Sequence, residues 1–264
     1  MTNLARDHYL KHAAKEAASQ ANEFGSMQAT NVHDQMLLQL KQDQSRLSQI
    51  QSTSRKVMFK QEMIENYIPY IDGVLDARPG IQDEVLARIL VWTIDISEYS
   101  RALQIARYMM NFKLTLPDQF SRTVVTFLTE QISDEFLKEI KNSTDVDISV
   151  LQQLEQLTQD DSIDADVRDM PEIVKAKLYL ALGKASLALV TGETQTDLAH
   201  ATRAQGYLET ALKLDDKCRG RADLNTATKL VEQLKVIPPT STTVSPTIAT
   251  ATADNTTVVN TPTV

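Results

Sequence analysis

Residues 67–117 read YIPYIDGVLDARPGIQDEVLARILVWTIDISEYSRALQIARYMMNFKLTLP, and this stretch decides the fold. It holds the single Trp of the chain, Trp92, together with Tyr67, Tyr70, Tyr99 and Tyr108. The opening Tyr67-Ile68-Pro69-Tyr70-Ile71-Asp72-Gly73-Val74-Leu75 leads to a turn signal at Arg78-Pro79-Gly80. Beyond the turn Ile81, Val85, Ile89, Trp92 and Ile96 recur at helical spacing and line one face, which Leu86 and Leu90 widen. Asp95 or Ser97 is expected to cap the next helix, with Glu98 in its first turn. In that helix Tyr99, Ala102, Leu103, Ala106 and Met110 make one stripe, and Ile105, Tyr108, Met109 and Phe112 make a second. Only Arg101, Gln104, Arg107 and Asn111 stay polar, on a narrow face. So wide an apolar surface requires neighbours on more than one side. The stretch predicts the middle of an all-α core.

Toward the N-terminus, residues 31–66 contain neither Gly nor Pro. They predict one unusually long helix, or two joined by a polar bend at residues 51–54. Met36, Leu40, Leu47, Ile50, Val57 and Ile64 step by three, four and seven, a heptad-like seam interrupted by Asp43, Ser54 and Gln61. Such a seam joins subunits, its polar positions setting register and partner number, or it closes an antiparallel hairpin within one subunit. Residues 3–23 carry a thin apolar face of Leu4, Tyr9, Leu10, Ala13, Ala14 and Ala17, a marginal helix that a partner has to order. His8, His12 and Glu16 share one face at a spacing of four, but no further ligand joins them, so they read as a solvated polar face.

Toward the C-terminus, Pro117-Asp118 ends the central unit. Val124, Val125, Leu128, Ile132, Phe136 and Ile140 predict a one-faced helix, and Val150, Leu151, Leu154 and Leu157 a shorter one. Residues 160–166, DDSIDAD, match a calcium loop only in acidity. Ala165 stands where the sharp turn needs Gly, and Pro171 where the bidentate carboxylate belongs. The segment therefore reads as a solvated linker. Asp169-Met170-Pro171-Glu172 signals a helix start through a cap, an early Pro and an acid. Val174, Leu178, Leu182, Ala185 and Leu189 follow on one face, and Leu198, Ala201, Ala204, Leu208 and Leu212 line a second helix. The run from Tyr207 to Asp215 is similar to the second helix of a tetratricopeptide repeat. One unit makes no solenoid, so a helical hairpin packed on the body is expected, followed by a last helix over residues 219–235.

These signals give an all-α protein in four parts. Residues 1–66 form an N-terminal helical segment for DNA binding and oligomerisation, 67–165 a central helical core, 166–236 a C-terminal helical segment and 237–264 a disordered tail. The tail is mostly Thr, Pro, Ser, Ala and Val with Asp254 its single charge, too little apolar bulk to order itself.

A net charge of −8 argues against a nucleic-acid binder, but the charge is uneven. Residues 1–60 carry Arg6, Lys11, Lys15, Lys41, Arg46, Arg55, Lys56 and Lys60 against Asp7, Glu16, Glu23, Asp34 and Asp43. That segment is net positive, and the rest is more acidic than the whole. An anionic partner is expected at the N-terminal part and nowhere else. Cys218 is alone, which excludes an intrachain disulfide and a thiolate zinc site and fits a reducing cytoplasm. The N-terminus lacks the apolar run of a signal peptide, and no segment approaches a membrane span.

Trp92 and Asp95, the run Arg101-Ala102-Leu103-Gln104-Ile105-Ala106-Arg107-Tyr108, and Leu114-Thr115-Leu116-Pro117 together resemble the small terminase subunit family of tailed phages of the peduovirus type. Pro69, Gly73-Val74-Leu75 and Gln82-Asp83 fit as well, and a looser likeness runs from the N-terminus to about Leu234. The resemblance implies a protein that recognises the packaging-initiation site on phage double-stranded DNA and assembles into a ring. It implies as partner a terminase large subunit, holding the ATPase and nuclease, which this chain directs and stimulates in the cytoplasm of the bacterial host. A basic C-terminal tail, frequent in the family, is absent. The rival reading is a tetratricopeptide-like adaptor that binds protein and no DNA.

Enzymatic motifs are missing. Gly183-Lys184-Ala185 lacks the upstream Gly and following Ser/Thr of a phosphate-binding loop, and there is no nucleophile elbow or zinc-protease His pair. A non-catalytic subunit without cofactor or metal is expected.

Overall fold

The computed structural model describes residues 4–20, 27–117, 122–142, 147–191 and 195–235, which contain twelve helices and no strand. Its centre is the pair α5 (Glu84–Asp95) and α6 (Tyr99–Asn111), with α4 (Ile68–Ala77) beside it. Asp83 caps α5, accepting from the backbone N–H of Val85 at 2.8 Å and Leu86 at 3.1 Å. Its other oxygen accepts from the Tyr70 hydroxyl at 2.7 Å, so one buried carboxylate both starts α5 and ties α4 to it. Ile81 lies before that cap and is exposed, so the apolar stripe starts one turn later than the spacing suggested.

Neither Asp95 nor Ser97 caps α6. Asp95 stays in α5 and pairs with Lys60, and Ser97 takes the left-handed region at φ 63, which turns the chain in three residues. Glu98 therefore occupies the cap position without a side-chain bond. Both stripes of α6 are buried, apart from the half-buried Phe112, against α5, α7 (Val124–Asn142) and α8 (Ile148–Gln159).

The Gly- and Pro-free run forms two helices, α2 (Met27–Gln49) and α3 (Thr53–Ile64), with Ser52 capping α3 through the Arg55 N–H. Met36, Leu40, Leu47 and Ile64 are buried inside the subunit rather than left on a free face, because α2 and α3 both lie on α5. Val57 packs half-buried on the same core, and Ile50 is half-buried at the bend. Asp43, a polar position of the seam, accepts from the Tyr67 hydroxyl at 2.7 Å and lies 3.5 Å from the Arg46 guanidinium. Burial, with Asp43 adding to it, pushes the Tyr67 phenol well above its ordinary range. The Tyr67 ring meets Trp92 edge-on, with centroids 5.9 Å apart.

The marginal first helix, α1 (Leu4–Gln20), is ordered by α4 and α2. A Cβ at Gly73 would lie 2.4 Å from the Lys11 carbonyl oxygen and 2.8 Å from the Ala14 Cβ. Glycine on α4 lets α1 cross backbone against backbone, burying Leu10 and Ala14.

Beyond α8 the acidic run is docked, not a solvated linker. Asp160 accepts from the Ser162 N–H and hydroxyl and pairs with Arg107, Asp161 pairs with Arg168, and Asp164 with Lys113. Ile163 is buried beneath them, and α9 (Ala165–Arg168) is a single turn. In α10 (Glu172–Ala188) the cap position is Pro171, whose carbonyl accepts from Val174 and Lys175, so Asp169 does not cap it. Helices α11 (Gln195–Leu214) and α12 (Arg221–Lys235) pack on α10 in sequence. One buried cluster runs unbroken from Leu10 to Ala185, and two small ones join α10, α11 and α12. Residues 237–264, expected to be a disordered tail, lie outside the described residues.

Candidate nucleic-acid interface

The polar face of α6 is what its two buried stripes leave over. Arg101, Gln104, Arg107 and Asn111 form a ridge beside the end of α4 and the middle of α1. The groove between these helices has a volume of about 490 Å³ and is lined by Lys11, Asp72, Asp76, Arg78, Arg101 and Arg107, among others. Arg78 ends α4 in the left-handed region at φ 52, and its guanidinium stands 5.7 Å over the Phe112 ring. Gly80 at φ 68 completes the turn and packs on that ring, donating its N–H to the Tyr108 hydroxyl at 3.0 Å.

Two carboxylates hold the cations in place. Asp72 pairs with Arg101, and Asp76 with Lys11 at 3.0 Å. From outside the groove lining, Asp160 pairs with Arg107. The hydrogen bond from Lys11 holds the Asp76 carboxyl below the usual range, and the charges of Lys11, Lys15 and His12 add to it. Four cations against two carboxylates leave the lining positive in a chain of net charge −8.

The eight basic residues singled out in the sequence do not share one surface. Lys11 lies in the groove, and Lys15 is exposed one turn along α1. Arg6 and Arg46 line a separate hollow with Asp43. Lys41 is exposed on α2, Arg55 and Lys56 stand near the start of α3, and Lys60 is tied to Asp95. The structure adds Arg78, read in the sequence as part of a turn, and Arg101 and Arg107, read there as the polar face of a helix. Their signal was the residue type: arginines and carboxamides, with no acid, on the one uncovered face of a central helix.

The three-residue turn between α5 and α6 gives the outline of a helix-turn-helix. Glu98 stands at the cap of α6, however, and the charges of Glu135 and Glu139 on α7 act on Tyr99, opposed by Lys138. A major-groove end carries the opposite charge. His8 and His12 stack at 4.3 Å between ring centroids, and no group of three or more His, Cys, Asp or Glu suited to a metal occurs among the described residues. No helix among them is long and apolar enough to cross a membrane.

The family model of the phage small terminase subunit matches residues 37–166, from α2 through the central helices to α9. Over this segment the chain is similar to the phage small terminase subunit family, which supports a phage terminase small subunit. It is also 29% identical over 238 residues to a protein of Escherichia phage P2 named "Terminase, endonuclease subunit", covering 90% of this chain and 88% of that one. No solved structure matches it. The two likenesses support a DNA-packaging terminase role. The matched segment contains the α4 and α6 sides of the groove, and Lys11 lies before it.

Proposed function

We propose that this chain is a small terminase subunit that recognises the packaging-initiation site on phage double-stranded DNA. It directs and stimulates a separate large subunit that carries the ATPase and nuclease, in the cytoplasm of the bacterial host. The observation that carries the reading is the family match over the central helices, extended by the P2 likeness across most of the chain. A ring of identical subunits supplies what one chain lacks: a weakly basic surface repeated around the assembly gains avidity without new contacts.

On this reading the chain is not itself a nuclease, although the P2 protein is named an endonuclease subunit. Support comes from how its carboxylates are used: Asp72, Asp76, Asp160 and Asp164 each hold a cation of the same chain. The test combines three measurements on the purified full chain. Light scattering should give the mass of a closed oligomer, and anisotropy should show tighter binding to packaging-site duplex than to random duplex. Supercoiled plasmid with magnesium should be cut only when the large subunit and ATP are added. Cutting by this chain alone overturns the non-catalytic assignment. Failure to bind any duplex transfers the helices α10, α11 and α12 to the rival reading, a protein-binding adaptor.

A further inference from the structure

We propose that the groove between α1, α4 and α6 grips the phosphate backbone of double-stranded DNA, with Arg78, Arg101 and Arg107 as phosphate contacts and Gln104 and Asn111 as supporting donors. This rests on the DNA-binding reading above and moves its site from the basic N-terminal segment to a surface that the fold assembles.

Shape and spacing come first. Arg101 and Arg107 are about 9 Å apart along the helix axis, and Asn111 lies about 6 Å further on. The ridge is thus a row of donors long enough to follow a strand over neighbouring phosphates. Every side chain in that row is a donor, and the guanidinium fork suits a phosphate oxygen pair better than a point charge does. Gln104 and Asn111 are exposed, and their carboxamides donate to phosphate or to base edges.

The ion pairs position the cations without consuming them. Arg101 and Lys11 sit with partly exposed side chains on Asp72 and Asp76, so these pairs exchange cheaply for a phosphate. A guanidinium has five N–H donors, and one carboxylate leaves the others available. Arg78 has no ion-pair partner among the described residues and is held only by the Phe112 face.

The experiment measures the affinity of the full chain for labelled duplex by anisotropy across a salt series. Gln104→Glu with Asn111→Asp alters only exposed positions and breaks no ion pair, so folding is kept. It should weaken binding by about tenfold at low salt. Arg78→Ala and Arg107→Gln should each flatten the logarithmic salt slope by about one. Asp72→Asn, which frees Arg101, should tighten binding severalfold, an effect that a folding defect does not produce. Arg55→Ala with Lys56→Ala, outside the groove, should leave affinity unchanged. Tight duplex binding by the parent that survives the groove substitutions, or is lost in the α3 pair instead, overturns the groove and leaves the DNA-binding reading standing. Absence of duplex binding by the parent at low salt overturns both. Poly-glutamate held so that duplex cannot displace it would make the groove a site for acidic protein.

Discussion

The central helices and the C-terminal three helices are held together in different ways. Around α5, large rings and buried acids interlock: Trp92 on Tyr67, Tyr67 on Asp43, and Tyr70 on Asp83. In α10, α11 and α12 the small Ala201, Ala204, Ala211 and Ala227 pack with aliphatic Leu180, Val231 and Leu234, and Leu208 is set against Gly183. The first arrangement admits one geometry, because each hydroxyl must find its carboxylate. The second is a matter of close approach and tolerates small adjustments. The stricter geometry, and with it the expected rigidity, is therefore at the centre, around α5.

The harshest test of this contrast is Trp92→Ala. Trp92 is 3% exposed, and its removal leaves a cavity beside the Tyr67 ring. The expected loss is about 3–5 kcal/mol, a large share of a domain's stability, read by chemical denaturation. Stability equal to the parent would show that the aromatic interlock is dispensable.

Two glycines give a finer comparison. At Gly73 a new Cβ meets the Lys11 carbonyl at 2.4 Å, and backbone does not yield. At Gly183 it meets the Leu208 Cγ at 2.6 Å, a side-chain atom rather than backbone. Gly73→Ala should cost about 1–3 kcal/mol by pushing α1 off α4. In Gly183→Ala the helix-propensity gain of about 1 kcal/mol offsets much of the strain. Thermal melts of both variants decide, and equal losses would remove the distinction.

A third pair compares hydroxyls. Tyr67→Phe takes the phenol's hydrogen bond from the buried Asp43 carboxylate and should cost about 1–3 kcal/mol. Tyr207 donates to Glu155 at 2.9 Å in a part-buried setting, where burial and that carboxylate push its phenol up to about 12. Tyr207→Phe should cost less than about 1 kcal/mol. The reverse order in denaturant midpoints would contradict the assignment of rigidity to the centre.

The smallest expected effect is pH-dependent. Asp160 lies below the usual range through its bonds from Ser162 and Arg107, and Asp164 through Lys113. Both folded values are depressed, so their stabilisation is complete above the ordinary carboxylate pKa and fades as pH falls through the folded one. The unfolding midpoint should be flat from neutral down to about pH 5 and fall below about pH 4, less steeply in Asp160→Asn. An unchanged acid limb in that variant would mean that the docked acidic run contributes nothing.

The sequence by itself determined the class, the centre and most of the helices. Periodicity is a local property, and α6 shows it: its two apolar stripes and polar remainder are all visible in thirteen residues. Local pattern also allowed two helices in residues 31–66, but not the destination of their apolar face. Only the tertiary structure turned Met36, Leu40 and Leu47 inward and paired Asp43 with Tyr67, because a stripe does not specify what covers it. Caps behaved likewise, since Asp83 starts α5 while bonded to Tyr70 on another helix, and Asp95 pairs with Lys60 rather than capping α6. The groove was the least legible feature. Lys11, Arg78, Arg101 and Arg107 come from three helices up to 96 positions apart in the chain, and charge counted along the sequence cannot register charges that meet only in space.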